Sequence, residues 1–144
     1  GWITFPRGCL VLNTFLPFSD FEKTAKVLDY RRLGKQRVEC QQLLKALAGE
    51  TKGWVNHPAA KMWRGYESAL MVYKDACIKE WIARGYKNTM VLSNVAEPYE
   101  LPPWMGNVAF HISHQSNLLR KDAVYYGPHF PGIPHDLPYI WPLP

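Results

Sequence analysis

Apolar residues recur at helical spacing in three stretches of this 144-residue chain. The first covers residues 20–48, where Ser19 and Glu22 have the spacing of a capping box. The second covers residues 64–83 and the third residues 107–122, each with apolar or aromatic positions three or four residues apart. No segment shows strand pairing, so the pattern predicts an all-α fold with about three main helices.

The segments that flank these helices have a different composition. Residues 1–18 are apolar and interrupted by proline and glycine, which predicts an extended lead-in that includes an N-terminal extension over residues 1–10. Residues 128–144 combine prolines with aromatic side chains, which excludes a helix and predicts an irregular tail wrapped over the body. The length suits one compact domain, residues 1–144.

Composition restricts the class of protein. Hydrophobic residues make up 47% and charged residues 20% of the chain, which excludes a disordered protein. The apolar runs are far shorter than the ~18 residues of a membrane span, and the first residues do not have the pattern of a signal peptide. Cys9, Cys40 and Cys77 form no CxxC pair, so we expect reduced thiols and a cytoplasmic protein, nucleoid-associated if its source is bacterial or viral.

The positive charge is concentrated in the first predicted helix. The net charge is +5, and the helix line that begins with apolar Phe21 continues through Arg32, Lys35 and Glu39. The core face is therefore expected to rotate at Gly34, where the helix can bend. One interpretation is a solvated face of paired charges. The other is a clamp for a phosphate backbone around a reacting sugar.

The block "DYRRLGK" and its surroundings resemble the pyrimidine-dimer DNA glycosylases of the phage endonuclease V type. The capping "SDF", the block "HPAAKMWRGYESALMVYKDACIKEWIARGYKN" and the ending "AFHISHQSNLLRKDAVYYG" follow the order of that family, and the resemblance covers residues 11–127. It implies a small all-α enzyme without a cofactor that excises ultraviolet photoproducts and then nicks the abasic site. It also implies double-stranded, damaged DNA as partner, and we expect a monomer.

The resemblance implies that an N-terminal α-amine attacks C1′ of the sugar and forms a Schiff base. Counting back from Tyr30 without gaps places that amine at Val11. The nucleophile is then Val11 after removal of the preceding residues or with a later start codon, or Gly1 reaching into the site, or the side chain of Lys35. An α-amine has a pKa of ~7.7–8.0 against ~10.4 for lysine, so far more of it is unprotonated at neutral pH.

The family's catalytic acid follows the Tyr-Arg pair directly, and Arg32 stands in that position here. Glu39, two helical turns further along the same face, is the candidate general acid or base. The predicted phosphate contacts are Arg31, Arg32, Lys35 and Arg37. The missing acid leaves a second hypothesis open, a non-catalytic nucleic-acid-binding protein of the same fold.

Further DNA contacts are predicted outside the first helix, each beside a structural alternative. The side chains of the third helix are either a polar helix face or contacts to phosphates or a flipped base. His57 is either the cap of a helix or a loop histidine that faces DNA, and the aromatic pair near residue 125 either seals the core or lies against damaged bases. No spacing of histidine, cysteine and acid predicts a metal site. The candidate contacts are His57, His111, His114, Asn117, Arg120, Lys121, Tyr125 and Tyr126.

Overall fold

The computed structural model describes residues 12–142, and within them it contains six helices and no strand. In chain order they are α1 (Phe21–Val27), α2 (Tyr30–Leu47), α3 (Pro58–Trp63), α4 (Glu67–Ala83), α5 (Val108–Lys121) and α6 (Ala123–Tyr126). The predicted all-α class is confirmed. The predicted extension over residues 1–10 lies outside the described residues. Across residues 12–142, no helix is both long enough and apolar enough to span a bilayer.

The first predicted helix is in fact two helices, and the predicted bend at Gly34 is wrong. The chain leaves helical geometry at Leu28 (φ −66°, ψ 136°), and Asp29 caps α2 through its carboxylate, which accepts the Arg32 N–H at 3.4 Å. Arg84 stabilises the break, because its Nη2 donates to three carbonyls at the end of α1. The core face therefore rotates at a capped corner that precedes Gly34.

The start of α1 also differs from the prediction. Asp20, and not Ser19, is the N-cap, since Asp20 Oδ1 accepts the Lys23 N–H at 2.8 Å. Both residue types cap helices well, and sequence alone did not separate two adjacent candidates.

The second predicted helix begins too early, and a short helix was missed before it. Pro58 occupies the first turn of α3, and His57 is its N-cap, accepting the Ala59 N–H at 3.0 Å. Gly65 (φ 89°) then separates α3 from α4, which begins at Glu67 rather than at residue 64. The predicted cap role of His57 is confirmed. The third predicted helix matches α5, whose N-cap is Asn107.

The core is formed where α4 packs against α1 and α2. Its largest buried side chains include Trp63, Tyr73, Phe110 and Tyr126, and each fully buried aromatic contributes about 1.5–3 kcal/mol. Cys40 and Cys77 are free thiols with no exposure, and burial raises the pKa of both, so they stay protonated and unreactive.

Candidate active site

An extended segment, residues 12–16, lies across α2 and α5 and is held by their side chains. Gln36 uses both ends of its amide: Nε2 donates to Asn13 O at 2.9 Å and Oε1 accepts the Phe15 N–H at 2.7 Å. The Leu16 N–H donates to His114 Nδ1 at 3.1 Å. These side-chain hydrogen bonds satisfy backbone groups that a neighbouring β-strand would otherwise pair. The segment is therefore fixed although it has no regular secondary structure.

Glu39 lies under this segment. Its side chain is buried, and Oε2 accepts the Asn13 N–H at 3.2 Å while Oε1 is 3.6 Å from Lys35 Nζ. Burial raises the pKa of Glu39, and the Asn13 N–H bond and the charge of Lys35 oppose that rise without cancelling it. The site thus holds a carboxyl that takes up a proton more readily than an exposed glutamate.

Cations surround this carboxyl. Lys121 lies at the end of α5 and is exposed to solvent. Partial burial of its amine lowers the pKa of Lys121, and the positive charges of Arg32, Lys35 and Arg120 lower this pKa further. We call Asn13, Arg32, Lys35, Glu39 and Lys121 the Glu39 cluster. Cations crowded around one buried acid create a positive potential suited to a polyanion.

Arg32 is fixed in place by Asp29. Arg32 Nη1 donates to Asp29 Oδ1 at 3.1 Å, and the Tyr126 hydroxyl donates to the same oxygen while accepting the Asp29 N–H at 3.0 Å. Burial raises the pKa of Asp29, but the hydrogen bonds from Tyr126 and Arg32 and the charge of Arg32 outweigh it, so the pKa lies below its ordinary value. Tyr126 itself is fully buried.

We expect Asp29→Asn to destabilise the protein by about 2 kcal/mol at pH 7, because the bonds from Tyr126 and Arg32 lose their charged acceptor. A carboxyl whose folded pKa is depressed contributes stability above its unfolded pKa of ~3.9, and this stability is lost as the pH falls through the folded pKa. The loss relative to wild type should therefore shrink toward pH 2–3, as measured by urea unfolding at both pH values.

Asp20→Asn is the matched control, because both aspartates are N-caps and asparagine caps a helix equally well. Within residues 12–142 the exposed Asp20 carboxylate accepts one hydrogen bond, from the Lys23 N–H, so its substitution should change stability little at either pH. An equal loss in both variants would contradict a charge-specific role for Asp29.

The other predicted cations of α2 lie apart from the Glu39 cluster. Arg31 is exposed on the flank of the helix. Arg37 lies over the ring of Trp81 (4.3 Å from Cζ to the ring centroid) and donates to Asn88 Oδ1 at 2.7 Å. Because Arg37 is half-buried and paired on another face, the predicted four-cation grip is divided between two surfaces.

His111 and His114 are buried, and their ring nitrogens bond to backbone. His114 Nδ1 accepts the Leu16 N–H, while His111 Nδ1 donates to Leu16 O at 2.8 Å and its Nε2 accepts the Gly106 N–H at 2.9 Å. Burial and the neighbouring His111 lower the pKa of His114 to about 3, so it stays neutral. The contact of these rings with DNA stays a prediction, and their visible role is to hold residues 12–16.

Asn117 and Arg120 fasten the tail to α5. Asn117 Nδ2 donates to Leu137 O at 3.1 Å, and Arg120 Nη1 donates to the carbonyls of His135 and Leu137 at 2.8 and 2.9 Å. Arg120 Nη2 also donates to Asn117 Oδ1. The hydrogen bonds of Asn117 and the guanidinium of Arg120 are thus engaged within the protein, although Arg120 remains exposed.

The remaining predicted residues lie apart from the Glu39 cluster or outside the described residues. His57 is half-buried beside Trp54, with ring centroids 5.3 Å apart, and burial lowers its pKa. Tyr125 is half-buried and packs edge-on against Tyr126 at 4.7 Å. Val11 and Gly1, the two candidate N-terminal amines, lie outside the described residues.

Sequence reasoning missed four residues of this region. They are Asn13, Asp29, Gln36 and Tyr139. Gln36 gave a signal, since it lies on the polar face between Arg32 and Glu39. Tyr139 gave none, because only the folded tail brings it to the site. Burial raises the pKa of Tyr139, and its hydrogen bond with Asn13 and the charges of two nearby arginines oppose that rise without cancelling it.

Lys35 and Lys121 are the exposed members of the Glu39 cluster, whereas Asn13 and Glu39 are buried. A cavity of about 640 Å³ between α1 and α4 is separate from this cluster and is lined by Asp20, Asp75, Glu97 and Tyr99 among others. Among residues 12–142, no three His, Cys, Asp or Glu side chains are grouped as metal ligands would be. An exposed positive surface around one acid suits a ligand as large as a nucleic acid.

Comparison with known proteins identifies the family of this chain. A family model described as pyrimidine dimer DNA glycosylase matches residues 12–94, which is more than half of the chain and includes Asn13, α2 and Glu39. Searches of curated proteins and of solved structures returned no match. The matched length is sufficient to assign the family: the chain belongs to the pyrimidine dimer DNA glycosylases.

Proposed function

We propose that this protein excises pyrimidine dimers or related base damage from double-stranded DNA and then cleaves the abasic site through a Schiff base. The observation that supports this most directly is the bond between the Glu39 carboxylate and the Asn13 N–H, 3.2 Å long. Asn13 is two residues from Val11, at most about 7 Å along the chain, and Val11 is where the family resemblance puts the amine. A carboxyl of raised pKa is therefore bonded to the chain two residues from the expected nucleophile.

The chemistry needs an amine, an acid and phosphate contacts. The amine attacks C1′ while the glycosidic C–N bond breaks, and the departing base takes up a proton. Loss of a proton from C2′ of the resulting imine then expels the 3′ phosphate. Glu39 serves as general acid and then as general base in these steps, a role favoured by a pKa raised toward the working pH.

The phosphates are contacted by the cations that remain at the surface. We assign this role to Arg32, Lys35 and Lys121. Arg32 is oriented by Asp29 and keeps part of its guanidinium exposed, and Lys35 reaches solvent beside Glu39. Lys35 is also the alternative nucleophile, and its amine is paired with the Glu39 carboxylate at 3.6 Å.

Borohydride trapping on two duplexes, one with an abasic site and one with a cyclobutane dimer, tests this function. We expect a covalent protein–DNA adduct on both, and peptide mapping of that adduct identifies Val11, Gly1 or Lys35 as the attacking residue. Binding without an adduct or a nick would contradict the proposed chemistry. It would favour the second function, a nucleic-acid binder without catalysis, for which the arginine at position 32 argues.

A further inference from the structure

Three aromatic rings and a guanidinium form a stack on the far side of α2 from Glu39. The rings of Tyr30 and Trp81 are 5.3 Å apart and nearly parallel, at 15°, and Arg37 covers Trp81 at 4.3 Å. Tyr86 packs against both other rings, at 4.8 and 4.5 Å. We call these four residues the Tyr30 stack. Glu39 follows Tyr30 by nine residues, which is about half a turn away around the helix.

The inner part of the stack is rigid. Arg37 donates to Asn88 Oδ1 at 2.7 Å, and Trp81 Nε1 donates to Lys87 O at 2.8 Å. Gly34 leaves the space for Trp81, since a Cβ there would lie 2.8 Å from Trp81 Cζ3. Glycine is unfavourable inside a helix, so its place here is explained by the close approach of the ring.

The outer part of the stack is open to solvent. Tyr30 is 52% exposed and Tyr86 39% exposed, and neither hydroxyl has a hydrogen bond within residues 12–142. Each ring is followed in the chain by an exposed cation, Arg31 after Tyr30 and Lys87 after Tyr86. Exposed tyrosines on a fixed base, flanked by positive charge, are the arrangement with which proteins hold single-stranded nucleic acid.

We propose that the Tyr30 stack is a second nucleic-acid site, which binds an unstacked nucleobase of single-stranded DNA. The base stacks on Tyr30 or Tyr86, and Arg31 and Lys87 face the adjoining phosphates. A nucleobase fits better than an apolar peptide, because the flanking cations match the charge of its backbone. The proposal needs only that the protein meets DNA, as its family does, and is independent of the Schiff-base chemistry at Glu39.

Fluorescence anisotropy with an undamaged 12-nucleotide single strand, compared with the same sequence as duplex, tests this site. We expect Tyr30→Leu and Tyr86→Leu each to weaken single-strand binding by about 5- to 150-fold, the range measured for loss of one base–aromatic stack. Tyr30→Phe should bind like wild type, because stacking uses the ring and not the hydroxyl. Tyr99→Leu, a half-buried tyrosine beside the separate cavity at α1 and α4, is the matched control and should have no effect.

Several outcomes would overturn the proposal. They are wild-type protein that does not bind the single strand, an unchanged affinity in the Tyr30→Leu/Tyr86→Leu double variant, or an equal loss in Tyr99→Leu. Wild-type dimerisation that the double variant abolishes would assign the stack to a contact between copies instead. Melting curves confirm that each variant folds. A failure of borohydride trapping would leave this result intact, so the two proposals fail separately.

Discussion

Glu39→Gln should lower adduct formation and strand cleavage at least about 100-fold, the usual contribution of a general acid or base. The amide keeps the size of the side chain, and its oxygen can still accept the Asn13 N–H, so residues 12–16 should stay in place. The substitution removes the proton transfer and the negative charge that pairs with Lys35. Single-turnover cleavage of an abasic duplex, with borohydride trapping in parallel, measures the effect.

The same variant should be at least as stable as wild type at pH 8. A carboxyl whose folded pKa is raised contributes stability below its unfolded pKa, and this contribution is lost as the pH rises through the folded pKa. The ionised, buried Glu39 is therefore unfavourable at pH 8, and glutamine removes that penalty. We expect the Tm of Glu39→Gln to equal or exceed that of wild type at pH 8 and the gap to close near pH 4.

Glu50→Gln is the matched control, since Glu50 is exposed in the loop after α2 and makes no side-chain bond within the described chain. It should leave both activity and Tm unchanged. Full activity of Glu39→Gln would remove Glu39 from the mechanism. A fall in both activity and Tm would show that the carboxylate is needed for folding instead.

The pH dependence of wild-type cleavage follows from the same residue. Because burial raises the pKa of Glu39, the acidic limb of kcat/KM should lie above the ~4.3 of an ordinary glutamate. The charges of Lys35 and Lys121 oppose this rise, so raising the salt concentration should move the limb further upward.

The sequence predicted well whatever depends on local pattern. The spacing of apolar residues predicted α5 to within a residue, because Asn107 caps it and the apolar face is continuous. The polar line through Arg32, Lys35 and Glu39 was also visible, since all three lie within one helix. The structure brings this line to residues 12–16, a contact that no periodicity encodes.

What the sequence could not predict depends on contacts between distant segments. The sequence around Leu28–Asp29 has the pattern of a continuous helix, because the side chains that stabilise the corner are distant in the chain. They are Arg84 and Tyr126, which lie 56 and 97 residues away. The sequence pattern places His111 and His114 on a polar helix face. Their hydrogen-bond partners are backbone groups of Leu16 and Gly106, which a pattern of side chains does not indicate. Buried polar residues need such partners, and only the fold supplies them.

Arg84→Met should destabilise the protein by about 2–3 kcal/mol, because the carbonyls of Ala25, Lys26 and Leu28 lose a charged donor while the apolar stem is kept. For a chain of this length that loss corresponds to a Tm lower by roughly 6–12 °C. Differential scanning calorimetry at pH 7 measures it. Asp29 lies at this corner and holds the side chain of Arg32, a predicted phosphate contact. We therefore also expect weaker DNA binding as the temperature approaches the new Tm.

Arg64→Met separates this corner from a general effect of losing an arginine. Arg64 is exposed and donates one bond, to Val55 O at 2.9 Å, so its removal should change the Tm by no more than a few degrees. At 10 °C, far below either Tm, Arg84→Met should cleave an abasic duplex like wild type, since Arg84 is not in the Glu39 cluster. A Tm equal to that of wild type would mean that water satisfies the three carbonyls as well as Arg84 does, and the break between α1 and α2 would then be determined by Asp29 and Tyr126 alone.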